Sequence, residues 1–163
     1  MRRLCTRIGS RRFNRLSERY NFLMNPYQFY YPIEVRYGDL DPQGHVNNAK
    51  FLTFMEQARV AYVKELGLWT GGSFLGFGLI IAEIRISYHK PVLFGDPLEV
   101  GVRTVRIGNK SLSMDYSIEH NQTREVHAKA SSIGVTYDYT TGKSITVPES
   151  WRTAITAYEN SLS

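Results

Sequence analysis

The sequence predicts an α+β domain in which an antiparallel sheet is wrapped around one long helix. The chain has 163 residues, enough for one domain with its own core. One strand-like segment and one long helical segment come first, and four consecutive strand-like segments follow, an order unlike alternating βαβ units. Apolar residues fill more than half of the helical wheel, which is more than packing on one side requires. These observations together favour a sheet that curves around the helix.

The first half of this pattern has clear boundaries. Residues 27–37 alternate β-branched or aromatic residues with polar ones, which predicts a strand. Residues 38–46 are rich in glycine, proline and aspartate and predict a turn-rich connection. Asn47 is a suitable N-cap for a helix over residues 48–66, and Gly67 is a suitable end for it.

Four long strands are predicted in the second half. They cover about residues 79–89, 97–108, 111–121 and 124–139, with turn residues between the last three. A short helix is expected at about residues 148–160, with the proline at position 148 in its first turn. We therefore expect a single domain over residues 25–163.

The net charge of +5 comes from the first residues of the chain. Residues 1–24 hold seven arginines and one glutamate, whereas the remaining thirteen basic and fourteen acidic residues nearly cancel. We interpret residues 1–24 as a basic extension and leave three origins open: an organellar presequence, a phosphate-binding arm, or an over-extended start. Because the body of the chain is close to neutral, no nucleic-acid partner is expected.

Composition also excludes several classes of protein. No apolar stretch approaches the ~20 residues that a membrane-spanning helix needs, so no membrane association is expected. Cys5 is the single cysteine, which excludes an internal disulfide and a cysteine-based metal cluster. We predict a cytoplasmic protein, or an organellar one if residues 1–24 are a presequence.

One segment before the long helix concentrates chemically useful side chains. Residues 36–48 contain Asp39, Asp41 and His45, although Asp-Pro-x-Gly is also an ordinary turn sequence. A helix N-terminus offers free N–H groups for a developing oxyanion, and a carboxylate just upstream could attack a carbonyl or activate water. Apolar residues on the helix, including Phe51 and Met55, could hold an acyl group beside them. The combination suggests acyl transfer to water.

The same residues resemble a known family. The stretch YGDLDPQGHVNNAKFL at residues 37–52, with FMEQAR at residues 54–59, is similar to the hotdog-fold acyl-CoA thioesterases, and most similar to the 4-hydroxybenzoyl-CoA thioesterase group. The stretch SYHKPV at residues 87–92 resembles the family as well. The resemblance covers about residues 28–140. It implies a hotdog fold, with five or six antiparallel strands wrapped around a central helix.

The resemblance also implies roles for residues in the loop and at the helix start. Asp41 matches the catalytic carboxylate, which acts as nucleophile or general base. Asn48 matches the position whose backbone N–H polarises the thioester carbonyl. Asp39, Tyr37 and His45 match motif positions that shape the loop or position water. Other hotdog thioesterases use a helix glutamate instead, but Glu56 falls on the polar side of the wheel, so we expect it to play a supporting role.

Several further residues are predicted to contact the substrate. Phe51 and Met55 would line the acyl slot. Lys110 resembles a basic turn that meets the phosphates of coenzyme A, and Arg106 and Lys90 are candidates by charge. The resemblance implies no metal and no bound cofactor, since coenzyme A is part of the substrate.

The expected activity is hydrolysis of an acyl-CoA thioester, with an acyl-carrier-protein thioester left open as the substrate. The family places its active sites between protomers, so a homodimer or homotetramer is expected. Two alternatives stay open at this point: a hotdog enoyl-CoA hydratase, and a non-catalytic protein that binds or senses acyl-CoA.

Overall fold

The computed structural model describes residues 26–160, in which six antiparallel strands form one sheet. The strands are β1 (Phe29–Ile33), β2 (Leu79–Tyr88), β3 (Leu98–Ile107), β4 (Ser111–His120), β5 (Val126–Asp138) and the short β6 (Lys143–Ser144). The long helix α1 (Asn48–Glu65) follows β1, and α2 (Glu149–Glu159) ends the described chain. The α+β class and the antiparallel hotdog arrangement of five or six strands are confirmed.

The strands are arranged in the order β1-β3-β4-β5-β2, and β6 pairs with the end of β5. β2 therefore lies at one edge of the sheet although it directly follows α1 in the chain. The four long strands match their predicted boundaries to within about two residues. The predicted turn residues, Gly108-Asn109 and Asn121-Gln122, lie between β3 and β4 and between β4 and β5.

Helix α1 begins as the sequence predicts. The Asn47 side chain accepts a hydrogen bond of 2.9 Å from the N–H of Ala49, and Gly67 beyond the helix end has a φ of 68°. The buried stripe of the helix is narrower than its apolar arc, since Leu52 is 40% exposed. The buried side chains of this stripe are Phe51, Phe54, Met55, Ala58, Arg59, Tyr62 and Val63.

The first strand is shorter than predicted, and Tyr37 lies outside it. The chain leaves β1 after Ile33, and Tyr37 begins a short 3₁₀ turn, Tyr37–Asp39, with 82% of its surface exposed. The reason is local: the Arg36 N–H donates to the Asp39 carboxylate at 2.9 Å, and the Asp39 N–H donates to the Arg36 carbonyl at 2.9 Å. These bonds use backbone groups that a longer strand would need.

Two other features bear on the predictions. Helix α2 begins at Glu149, one residue later than expected. Pro148 is therefore its N-cap and not a residue of its first turn. The predicted basic extension, residues 1–24, lies outside the described residues. Within residues 26–160, no helix is both long and apolar enough to span a membrane.

Candidate active site

A cleft of about 420 Å³ opens at the N-terminus of α1, between the loop that precedes the helix and the segment that follows β2. Both polar and aromatic side chains line this cleft. They are Asp41, Gln43, His45, Val46, Asn47, Asn48, Phe51, Tyr88, His89, Lys90, Pro91 and Val92. Four residues with predicted chemical or acyl-binding roles therefore share one cavity: Asp41, His45, Asn48 and Phe51.

The Asp41 carboxylate is held in a defined orientation by the turn that it begins. Its Oδ1 atom accepts hydrogen bonds from the backbone N–H groups of Gln43 at 2.8 Å and His45 at 3.3 Å. The Gly44 N–H donates to the Asp41 carbonyl at 3.0 Å, so the turn interpretation is also correct. Within residues 26–160, no group donates a hydrogen bond to Oδ2. The second carboxylate oxygen is thus available for chemistry.

The start of α1 presents a free backbone donor to the same cleft. The Ala49 N–H is bonded to the Asn47 side chain, and the Lys50 N–H donates to the Asn47 carbonyl at 2.8 Å. The Asn48 N–H has no acceptor among residues 26–160. An unpaired N–H in the first turn of a helix, where the helix dipole is positive, suits a developing oxyanion.

Contacts with two neighbouring segments hold the loop in place. The buried Asp39 carboxylate forms an ion pair of 3.2 Å with Lys50 of α1, and the Asp39 carbonyl accepts from the Asn47 N–H at 2.8 Å. The Val46 N–H donates to the Val92 carbonyl at 2.9 Å. These bonds fix the loop to α1 on one side of the cleft and to the segment after β2 on the other. The distance between Asp41 and the helix start is thereby held constant.

An aromatic pair forms one wall of the cleft. The rings of Phe51 and Tyr88 meet edge to face, with centroids 5.1 Å apart and an interplanar angle of 82°. The Tyr88 hydroxyl donates a hydrogen bond of 3.0 Å to the Asn48 carbonyl. Burial raises the pKa of Tyr88 above its ordinary value, so the hydroxyl stays protonated at neutral pH.

The predicted cationic contacts are distributed over the molecule. Lys90 lines the cleft, and its ammonium is paired with Glu125, whose pKa is lowered by that hydrogen bond. Arg106 is exposed on β3, and Lys110 follows β3, donating to the Ser144 carbonyl at 3.0 Å. Neither Arg106 nor Lys110 lines the cleft.

Three other predicted residues also lie away from the cleft wall. Tyr37 is on the outside of the loop, and Met55 is fully buried in the core. Glu56 is exposed on α1, with its carboxylate 3.9 Å from the Arg59 guanidinium. The acyl-slot role predicted for Met55 therefore needs a direct test.

We expect Met55→Ala to act on stability and to leave acyl selectivity unchanged. Truncating a fully buried methionine leaves a cavity, which costs about 2–5 kcal/mol of the free energy of unfolding. At roughly 2–4 °C per kcal/mol, thermal denaturation would show the loss clearly. Leu52→Ala is the matched control on the same helix, because Leu52 is 40% exposed. A changed acyl preference with unchanged stability would place Met55 in the slot instead.

Tyr88 and His89 also line the cleft, although sequence reasoning predicted no site role for either. Both belong to the stretch SYHKPV, which carried part of the resemblance. No local pattern assigns them to the site, because only the position of β2 beside the helix start brings them there. Within residues 26–160, no group of three or more His, Cys, Asp or Glu side chains could hold a metal.

The sequence model of the thioesterase-like superfamily matches residues 35–155, which include the loop, the long helix and both walls of the cleft. The chain belongs to the thioesterase-like superfamily. Thioesterases hydrolyse thioesters, so this family membership makes the protein a thioester hydrolase, and the cleft brings together a carboxylate and an unpaired helix N–H.

Individual thioesterases are also similar to this chain in sequence or in structure. YneP of Bacillus subtilis, named provisionally as an acyl-CoA thioesterase, is 32% identical over 78% of this chain and 92% of its own length. The long-chain acyl-CoA thioesterase FadM of Escherichia coli is 27% identical over 69% of this chain and 86% of its own length. A Thermus thermophilus thioesterase, crystallised with coenzyme A and Zn, is 36% identical with a TM-score of 0.73, covering 83% of this chain and 97% of that one.

Proposed function

We propose that this protein hydrolyses acyl-CoA thioesters to a free acid and coenzyme A, using Asp41 and the Asn48 N–H. The observation that carries the proposal is the shared cleft: an oriented carboxylate and an unpaired helix N–H lie together beside an aromatic wall. The acyl-CoA names of YneP and FadM support this substrate class.

In the proposed reaction, the thioester carbonyl oxygen accepts a hydrogen bond from the Asn48 N–H. Asp41 Oδ2 either attacks the carbonyl carbon directly or removes a proton from the attacking water. Negative charge develops on the carbonyl oxygen, where the helix N-terminus stabilises it. The carbon–sulfur bond then breaks, and coenzyme A leaves as a thiolate that takes up a proton to become the thiol. If water is the nucleophile, its proton passes through Asp41 to the thiolate and the free acid forms directly. If Asp41 is the nucleophile, the acyl group stays on Asp41 as a mixed anhydride until water hydrolyses it to the free acid, and that water supplies the proton. The proposal needs no metal or bound cofactor.

We also propose that the active form is a homodimer or a homotetramer, joined through the free edge of β2. This strand has ten residues, and only β5 pairs with it within the described chain. A long unpaired edge strand is a template for pairing with another strand. Ile80 adds exposed apolar surface along this strand.

Pairing through β2 would also bring Lys110 and Arg106 of one copy close to the cleft of the other copy. The Lys110 carbonyl accepts from the Thr136 N–H at 2.9 Å, and Thr136 pairs with Leu79 at the beginning of β2. In an antiparallel pair of β2 strands, the beginning of one strand lies beside the end of the other, next to that copy's cleft. Lys110 and Arg106 would then reach coenzyme A phosphates bound at the second copy.

Ala82→Pro should disrupt this dimer. Ala82 lies at the bulge between Ile81 and Glu83, a position where a strand tolerates proline, and the change removes one backbone N–H from the strand proposed to pair. We expect sedimentation to give at least twice the 18.7 kDa monomer mass for the parent and a smaller mass for the variant. Ala82→Ser, which keeps the N–H, is the control. A parent that is monomeric and fully active would contradict the dimer.

The proposed activity is tested by measuring thiol release from short-chain, long-chain and aromatic acyl-CoAs, with matched carrier-protein thioesters alongside. We expect release from one or more acyl-CoAs. Binding of acyl-CoA without thiol release would favour the sensing alternative. Loss of enoyl-CoA absorbance without thiol release would favour the hydratase. Cytoplasmic location stays a prediction.

A further inference from the structure

Tyr88 occupies a position that the proposed chemistry does not yet use. It is the last residue of β2, yet it contacts the first residue of α1, forty positions earlier in the chain. Its hydroxyl and its ring make separate contacts in the cleft: the hydroxyl bonds the Asn48 carbonyl, and the ring packs on Phe51.

We propose that Tyr88 determines which acyl groups the cleft accepts, restricting it to compact ones, and that its hydroxyl positions the oxyanion-binding turn. This inference rests on the proposed thioesterase activity. The ring provides the specificity, and the hydroxyl provides the positioning.

The argument for specificity starts from the exposure of the aromatic pair. Phe51 lines the cleft but is only 2% exposed, whereas Tyr88 is 41% exposed and meets it edge to face. The accessible aromatic surface of this wall thus belongs mainly to Tyr88. Behind Phe51 lies the packed core, with Phe54 at a ring distance of 6.1 Å. Removing the Tyr88 ring would uncover Phe51 and lengthen the slot along an apolar surface.

The argument for positioning starts from the hydroxyl. Its bond of 3.0 Å to the Asn48 carbonyl joins the end of β2 to the residue whose N–H is the proposed oxyanion donor. The loop on the opposite side of the cleft is joined to Val92 by the Val46 N–H. Two hydrogen bonds thus hold this region: one joins the helix start to the end of β2, and the other joins the loop before the helix to the segment after β2. Because an oxyanion donor works only at hydrogen-bond distance, a looser turn would lower the catalytic rate.

Tyr88→Phe and Tyr88→Ala separate the two contributions. Tyr88→Phe removes the hydroxyl and keeps the ring, so kcat should fall about fivefold, the value of one hydrogen bond, with KM and acyl preference unchanged. Tyr88→Ala removes both and should raise kcat/KM for long-chain relative to short-chain acyl-CoAs by about tenfold or more, at about fourfold for each methylene newly buried. Tyr88→Leu, which keeps apolar volume, should give a smaller shift.

Tyr139 provides a matched control. It is 43% exposed and meets Tyr137 edge to face at 5.2 Å, and it lies outside the cleft. Tyr139→Phe and Tyr139→Ala should change neither kcat nor the acyl preference. Circular dichroism of each variant confirms folding, and Tyr88→Leu serves in place of Tyr88→Ala if the latter unfolds.

Three outcomes would overturn the inference. The first is a parent that prefers long chains to compact acyl groups. The second is an acyl preference that stays constant in Tyr88→Ala and Tyr88→Leu. The third is a Tyr88→Phe variant with the parent kcat. Failure of the proposed function is distinguishable from all three, because it would appear as absence of thiol release by the parent itself.

Discussion

Asp41→Asn should lower kcat/KM for acyl-CoA hydrolysis by about 10²–10⁴-fold, the range for loss of a positioned acid–base group. Asparagine has the same shape, and its carbonyl oxygen can still accept the Gln43 N–H that Oδ1 accepts at 2.8 Å. The turn should therefore survive, while an amide can neither attack the thioester nor take a proton from water. Both proposed roles of Asp41 predict the same loss, which thiol release measures directly.

Asp138→Asn is the matched control for this experiment. The Asp138 Oδ1 atom accepts a hydrogen bond of 2.8 Å from the Thr140 N–H, the same two-residue turn that Asp41 forms, and Asp138 lies outside the cleft. We expect Asp138→Asn to keep the parent activity, and both variants to melt cooperatively. Near-normal turnover by a folded Asp41→Asn protein would remove Asp41 from the chemistry.

Asn48→Pro should lower kcat/KM by about 10²–10³-fold, as expected for removal of one oxyanion donor. Proline lacks the N–H but is favoured at the first position of a helix, which Asn48 occupies. The preceding residue, Asn47, has φ −59° and ψ 134°, a conformation that proline permits before it. The variant therefore deletes the donor and keeps the helix. Asn48→Ala keeps the N–H and should retain activity to within a few-fold.

Glu149→Pro tests whether proline at a helix start is harmless in this fold. Glu149 is the first residue of α2, and Pro148 before it has φ −54° and ψ 142°. This control should keep the parent activity and secondary structure. If Asn48→Ala were as damaging as Asp41→Asn, the Asn48 side chain would take part in the chemistry. If Asn48→Pro stayed fully active, the donor would have to be sought elsewhere in the cleft.

Much of the fold could be predicted because its determinants are local. Asn47 and Gly67 mark the ends of α1 by capping and by a positive φ, which depend only on nearby backbone. Alternating residues likewise mark β4, and turn residues mark both of its ends. The extent of β1 was predicted wrongly. Its alternation continues to Tyr37, but the Asp39 carboxylate binds the Arg36 N–H and bends the chain away.

The candidate site likewise has one part that could be predicted from local sequence and one part that could not. The cleft residues Asp41, His45, Asn48 and Phe51 all lie on one short stretch of chain, and a loop followed directly by a helix start keeps them together. Tyr88 and His89 come from the end of β2, and their place in the cleft depends on the strand order β1-β3-β4-β5-β2. No local pattern contains that order.

By itself, the sequence determined the α+β class, the long capped helix and the loop that carries the proposed carboxylate and oxyanion donor, because each depends on neighbouring residues. Only the tertiary structure decided the walls of the cleft. It buried Met55 in the core, exposed Tyr37, and brought Tyr88 across forty residues to the helix start. The physical reason is that burial and cavity shape depend on which elements pack together, a property that no single segment of the chain contains.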